Sequence, residues 1–123
     1  MTVGTLYAEL EQRIPRSLSC DWDNDGLMCC PELTAEVKKV LVALDVTGDT
    51  VRTAVEGGYD LIVSHHPMIF RPLRALDPGN YVARRAMELT HAGVSVMSFH
   101  TRLDAVAGGV NDTLAELLGL RDV

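Results

Sequence analysis

The stretch LIVSHHP, residues 61–67, decides the predicted fold. Its first three residues form a continuous apolar run, which is typical of a strand buried on both faces of a parallel sheet. The polar residues and Pro67 that follow mark the point where the chain leaves the sheet. A short buried strand that ends in two adjacent histidines therefore places polar chemistry at one edge of a sheet.

Residues 40–44 (VLVAL) are a second continuous apolar run, as expected for a strand buried on both faces, and residues 94–99 (VSVMSF) are the third predicted strand. Helical patterns separate the three strands, over residues 47–56 and 81–90, and others cover residues 2–13 and 110–118. Residues 16–34 are predicted to be irregular. This alternation predicts one α/β domain over residues 1–123, with a mainly parallel sheet covered by helices.

Composition excludes several classes of protein. The chain has 123 residues and a formal net charge of -6, with a sequence pI near 5.0. An acidic chain argues against non-specific binding to nucleic acid or anionic membranes. No apolar run reaches the roughly 18–20 residues of a membrane span. The first 14 residues lack the basic start and apolar middle of a signal peptide, and three cysteines make a poor disulfide framework. These features predict a cytoplasmic protein.

Polar side chains follow each predicted strand. Asp45 comes after the first, His65 and His66 after the second, and His100 after the third, with Asp104 four residues later. The carboxyl ends of parallel strands meet at one edge of the sheet, where ligands bind in such folds. The pattern therefore predicts that these residues converge.

The adjacent His65 and His66 are the sharpest candidates for metal ligands. Neighbouring side chains on a regular strand point to opposite faces, but at a strand end before Pro67 both imidazoles can turn toward one pocket. That arrangement suits two neighbouring metal ions, each taking one nitrogen. The alternative is a pair of hydrogen-bonding histidines beside a loop. We favour metal binding because a second polar cluster lies at the same edge.

Asp104 would supply an oxygen ligand to this mixed nitrogen and oxygen site, although it could instead cap a helix. His100, which we expect with Asp104 on a loop entering a helix, could bind metal directly or orient a ligand by hydrogen bonding. Asp45 could contact a metal-bound water or form a structural hydrogen bond. Arg71 and Arg102 could bind an anion or be solvated.

The acidic segment 21–26 (DWDNDG) lacks the terminal glutamate of an EF-hand calcium loop. We expect Asn24 and Asp25 to shape a turn under which Trp22 packs.

Seven stretches together resemble the NIF-three-like family of dinuclear metal-centre proteins, whose members carry the name GTP cyclohydrolase I type 2. They are residues 22–27 (WDNDGL), 40–47 (VLVALDVT), 64–67 (SHHP), 70–73 (FRPL), 100–104 (HTRLD), 108–112 (GGVND) and 117–120 (LLGL). The stretches span nearly the whole chain in the family's order, so the resemblance is specific. Most resembling sequences have asparagine where Arg102 stands.

The resemblance implies that His65, His66 and Asp104 are ligands of two divalent metal ions, with His100 beside them. It also implies a ring-like homohexamer, and that the chain is the N-terminal part of a longer two-lobed fold whose C-terminal segment adds a histidine and a glutamate ligand. Ligand counting agrees, because two bridged ions need about eight coordination positions. The metal could be zinc, iron, manganese, cobalt or nickel.

Two functions follow as expectations. The first is a metal-dependent hydrolase acting on a nucleotide, a phosphoester or another small molecule. No GxxxxGK[ST] phosphate-binding loop is present to favour GTP in particular. The alternative is a non-enzymatic metal-binding scaffold or metal chaperone, since a fold does not establish an activity.

Overall fold

The structure is a computed structural model that describes residues 1–123. Its elements in chain order are α1 (Val3–Arg13), a 3-10 turn (Arg16–Leu18), β1 (Gly26–Cys29), β2 (Val40–Ala43), α2 (Gly48–Glu56), β3 (Leu61–Ser64), α3 (Tyr81–His91), β4 (Ser95–Ser98), α4 (Thr101–Ala105) and α5 (Val110–Leu117). None of these helices has the length and apolar character needed to span a bilayer.

The four strands form one sheet in the order β1-β4-β3-β2. Strands β2, β3 and β4 run parallel, so that Val42 lies beside Val63 and Val63 beside Met97. Strand β1 joins the other side of β4 in the antiparallel direction. The predicted mainly parallel α/β fold is therefore confirmed, and the carboxyl ends of the three parallel strands share one edge.

Each face of the sheet has its own apolar core. Helices α2 and α3 cover one face, where Ile62 and Val96 of the central strands pack with Leu89 of α3. Helix α1 covers the other face, where Val3 packs with the fully buried Met97. Burial of each such side chain stabilises the folded state by about 1.5–3 kcal/mol. The two cores therefore hold the sheet in place, together with the edge that carries the histidines.

Side-chain caps explain where helices α1, α2 and α3 begin. Thr2 accepts a hydrogen bond from the Thr5 backbone N–H at the start of α1, as Thr47 does from Thr50 for α2. Asn80 accepts from two backbone N–H groups of the first turn of α3. These oxygens satisfy N–H groups that lack partners inside the helix. The four helices predicted from the sequence all form, with bounds within one residue of the prediction.

The prediction that residues 40–44 are buried on both faces is wrong. Strand β2 is an edge strand, and α1 packs over the central strands and leaves one face of β2 uncovered. Val42 and Leu44 on that face are 78% and 62% exposed, whereas Leu41 on the other face packs against the α2 and α3 core. The apolar run therefore predicted the strand correctly, but it did not predict that the strand lies at the edge of the sheet with one face exposed.

Two other elements differ from the prediction. The segment predicted to be irregular contains β1, which forms by pairing with β4 and has a bulge between Leu27 and Cys29. Its sequence carries no alternating pattern, so only the pairing reveals it. His100 and Asp104 lie on helix α4 rather than on a loop, with His100 at the N-cap and Asp104 in the first turn.

Candidate metal centre

Three imidazole rings meet at the carboxyl edge of the parallel strands. His65 and His66 follow β3, and His100 follows β4, so the strand register alone brings them together. The ring centroids lie 5.0 Å apart for His65 and His66, 5.3 Å for His65 and His100, and 5.7 Å for His66 and His100. One ligand nitrogen of each ring lies within 4.8 Å of those of the other two, so the group could hold a metal ion.

His65 is oriented by the neighbouring strand. Its Nδ1–H donates to the backbone carbonyl of Phe99, at 3.1 Å. A carbonyl oxygen can only accept, so Nδ1 carries a proton, and Nε2 is the nitrogen that could bind a metal. Nε2 lies 3.7 Å from Oδ1 of Asp104, a separation that leaves room for an ion between nitrogen and oxygen. The carboxylate thus lies at the imidazoles, where the sequence placed it.

His66 is oriented by Asp45, which follows β2. The His66 Nδ1–H donates to Oδ1 of Asp45 at 2.8 Å, while a further bond runs from the His66 backbone N–H to the Leu44 carbonyl. Of the two roles considered for Asp45, the structure shows the hydrogen-bonding one. Both side chains are about half exposed, so the His66 imidazole is accessible from outside.

His100 is oriented by Asp23, from the acidic segment before β1. The His100 Nδ1–H donates to Oδ1 of Asp23 at 3.0 Å, and the Thr101 backbone N–H and hydroxyl donate to Oδ2. Burial raises the pKa of Asp23, but the hydrogen bonds from Thr101 and His100 outweigh this effect and leave it below its usual value. Asp23 is therefore a firmly ionised anchor for the third ring.

All three rings thus have Nδ1 engaged with an acceptor and Nε2 free. Ligand histidines in metal sites usually have this arrangement, since the hydrogen bond at the second nitrogen fixes the tautomer and raises the basicity of the first. Three imidazole nitrogens and the Asp104 carboxylate form a donor set that suits borderline divalent ions such as zinc, iron, manganese, cobalt or nickel. The residues present fit a metal.

Asp104 does not serve as a helix cap, the alternative considered from the sequence. It lies inside α4, whose N-cap position belongs to His100, and its side chain forms no hydrogen bond within the helix. Its carboxylate is one-third exposed and faces His65. The geometry therefore leaves this oxygen available as a ligand.

Arg102 lies beneath this centre and is fully buried, so it is neither solvated nor available to an outside anion. Its Nε–H donates to Oδ2 of Asp25 at 3.0 Å, and Nη1 donates to Glu11 at 2.7 Å and to the Ile14 carbonyl at 3.0 Å. Asp25 also accepts from the His100 backbone N–H, at 3.2 Å. The ion-pair network thus supports the turn that presents the third imidazole.

The network shifts the pKa values of Arg102 and Glu11. Burial lowers the pKa of Arg102, but the hydrogen bond to Glu11 and the charge of Asp25 raise it by more. Burial raises the pKa of Glu11, and contacts with Tyr7 and Arg102 bring it below its usual value. Arg102 and Glu11 therefore remain ionised at neutral pH.

Close packing against this network explains why residue 26 is a glycine. Gly26 has φ +107°, and a Cβ at this position would lie 2.7 Å from the Tyr7 hydroxyl and 3.1 Å from Nη2 of Arg102. A side chain would therefore clash with the network as well as strain the backbone. No role was predicted for this glycine, and the only signal in the sequence is its place at the end of the acidic segment 21–26.

Trp22 does not pack under a turn, contrary to the prediction. Its side chain is 64% exposed and makes edge contacts with Phe70 and His100, at ring-centroid distances of 6.2 Å each. Instead Asn24 of the same segment donates to the Ile69 carbonyl at 2.5 Å. The indole therefore forms an exposed wall beside the third imidazole.

Comparisons with known proteins give the family. The family model described as Duf34/NIF3 (NGG1p interacting factor 3) matches residues 1–123. A protein of Lactococcus lactis subsp. lactis named GTP cyclohydrolase 1 type 2 homolog is 38% identical over 123 residues, which are 100% of this chain and 48% of that protein.

Two solved structures are also similar. Staphylococcus aureus protein SA1388 has a TM-score of 0.89 and 36% identity, covering 99% of this chain and 34% of that one. Reduced HcgD from Methanocaldococcus jannaschii has a TM-score of 0.90 and 30% identity, covering 99% and 48%. The chain spans between a third and a half of the length of these relatives. Because the family model matches every residue and the same fold recurs in these structures, the chain belongs to the Duf34/NIF3 family.

Proposed function

We propose that the chain binds two divalent metal ions and that the protein acts as a metal-dependent hydrolase. The observation that carries the proposal is the set of three imidazoles with Nδ1 engaged and Nε2 free, beside one carboxylate. The name GTP cyclohydrolase 1 type 2 homolog, which belongs to relatives, supports a hydrolytic reaction on a nucleotide.

In this proposal His65 and Asp104 hold one ion and His66 holds the other, with His100 close enough to bind either. Four side chains fill fewer than the eight or so positions that two ions require. The remaining positions belong to water, substrate, and further protein ligands. Because the relatives are two to three times longer than this chain, additional ligands outside these residues are consistent with the family's size.

When bound, divalent ions would activate water and stabilise negative charge that develops during hydrolysis. The chain's own contribution is orientation. Asp45, Asp23 and the Phe99 carbonyl fix the three ring tautomers before a ligand arrives, which avoids reorganisation on binding.

The test is metal binding by isothermal titration with Zn²⁺, Mn²⁺ and Co²⁺, accompanied by elemental analysis. We expect His65→Ala and Asp104→Asn to weaken affinity at least tenfold. His91→Ala is the matched control, because His91 lies at the end of α3 and has no contact with the centre. Equal affinity in the wild type and His65→Ala would overturn the metal site.

Hydrolysis is tested separately with nucleotides and generic phosphoesters in the presence of each metal. Turnover that His65→Ala abolishes and His91→Ala preserves would support the hydrolase. Turnover that is unchanged in His65→Ala would contradict the hydrolase proposal. Tight metal binding without turnover would instead favour the scaffold or metal-chaperone alternative.

We also propose that the chain assembles with copies of itself, as a homohexamer. Support comes from large apolar side chains left uncovered on β2 and α5, including Val42 at 78% and Leu117 at 80% exposure. Exposed apolar surface of this kind is typical of an interface. Light scattering after size exclusion measures the mass, and a monomer at micromolar concentration would contradict the proposal.

A further inference from the structure

A cavity of about 500 Å³ opens beside the metal centre and shares two residues with it, Asp45 and His66. It lies between the turn after β2, the segment that follows His66, and the start of α3. This volume falls in the range of sites that bind small organic molecules. A molecule in the cavity would contact the His66 imidazole, because that ring forms part of the wall.

Two guanidinium groups give the cavity a positive character in an otherwise acidic chain. Arg85 is held in place, since it donates to the Val46 carbonyl at 3.1 Å and lies 4.9 Å from the centre of the Tyr81 ring. Arg71 has neither a hydrogen bond nor an ion pair and is exposed. The lining has one carboxylate, Asp45, which is engaged with His66.

Two aromatic rings complete the lining. Phe70 is 44% exposed and Tyr81 is 59% exposed, although both line a concave site. Aromatic faces left open in this way stack well on planar rings such as nucleic-acid bases. The remaining wall is largely apolar, from Met68 and Leu73, so the cavity combines a ring-binding surface with cations at one side.

We propose that this cavity binds the substrate, a phosphorylated compound with a planar ring such as a nucleoside phosphate. Arg71 binds the phosphate, because an unpaired guanidinium matches phosphate oxygens in geometry and charge. Phe70 and Tyr81 contact the ring. This assignment rests on the proposed hydrolase function, since it places the bound molecule against His66.

The experiment measures binding of GTP and of inorganic triphosphate to the metal-loaded chain by isothermal titration. Arg71→Gln should weaken binding of both at least tenfold, and Tyr81→Leu should weaken GTP alone. Arg74→Gln is the matched control, since Arg74 is exposed, lies three residues away and does not line the cavity. It should bind like the wild type.

Metal affinity is measured for the same variants, and it separates the two proposals. Unchanged metal binding with GTP affinity equal in Arg71→Gln and the wild type would overturn the cavity assignment and leave the metal centre intact. No detectable binding of millimolar GTP by the wild type would do the same. Failure to bind metal would instead overturn the proposed function, while Arg71-dependent GTP binding by the metal-free chain would still support the cavity.

Discussion

Replacement of Arg102 by methionine tests whether the buried ion-pair network holds the turn beneath the metal centre. Methionine keeps much of the side-chain volume and removes the charge and the donors. Arg102 is fully buried, and so is the Asp25 carboxylate that faces it, while Glu11 is about one-quarter exposed. The substitution therefore removes the buried cation of the Asp25 carboxylate and leaves it the partly exposed Arg16, at 3.8 Å, as its nearest positive charge.

The expected loss follows from the bonds that disappear. Two are charge-assisted hydrogen bonds, to Asp25 and Glu11, and one goes to the Ile14 carbonyl. Removing one partner of a buried ion pair costs about 3–5 kcal/mol, because the other charge stays buried and uncompensated. The contact of the guanidinium with the Phe99 ring, at 4.7 Å, is largely replaced by the methionine sulfur. We expect the free energy of unfolding to fall by this amount.

The assay is urea unfolding at pH 7, followed by circular dichroism. Arg13→Met is the matched control, because Arg13 pairs with Glu9 on the exposed face of α1 at 2.9 Å. An exposed pair contributes about 1 kcal/mol or less, so this control should stay near the wild type.

Arg102→Lys is a second, milder variant that keeps the prediction testable if Arg102→Met does not fold. It keeps the charge but loses the fork that reaches two carboxylates at once, and should lose about 1.5–3 kcal/mol, the value of one hydrogen bond to a charged group. A loss below 1 kcal/mol for Arg102→Met, or a loss equal to that of Arg13→Met, would refute the reasoning.

Two further predictions concern pH and the third imidazole. The pKa values of Glu11 and of Asp60, which accepts two backbone N–H groups, are lowered by folding, so their stabilisation is complete above the unfolded values of about 4 and is lost as pH falls through the folded values. Urea midpoints should be flat from pH 7 to 5 and fall below pH 4; a midpoint that rises below pH 4 would contradict this. Asp23→Asn should weaken Zn²⁺ binding about 10–100-fold because His100 loses its anchor. The exposed neighbour Asp21→Asn should not, and equal effects in titration would show that Asp23 has no orienting role.

The strands that carry the site could be predicted because their signals are local. Short apolar runs that end at polar residues identified β2, β3 and β4, and spacing with capping residues identified the helices between them. The rule that carboxyl ends of parallel strands share an edge then brought His65, His66 and His100 together without coordinates. Strand β1 escaped prediction because antiparallel pairing with β4, rather than its own four residues, makes it a strand.

Partners far apart in the chain could not be predicted. Asp23 and His100 are 77 residues apart, as are Asp25 and Arg102, and nothing in either segment indicates its partner. The acidic segment before β1 looked like a turn because its carboxylates accept hydrogen bonds from residues that follow β4, far along the chain. Arg102, whose role the sequence left open, is likewise buried among distant partners, Asp25 and the end of α1.

The sequence by itself determined the alternation of strands and helices and the edge at which the imidazoles gather, since periodicity and strand order suffice for both. Tertiary structure decided which acceptor holds each Nδ1, how exposed β2 is, and where the open cavity lies. The physical reason is that hydrophobic patterns act between near neighbours, whereas hydrogen-bond partners and burial depend on which segments the completed sheet brings into contact.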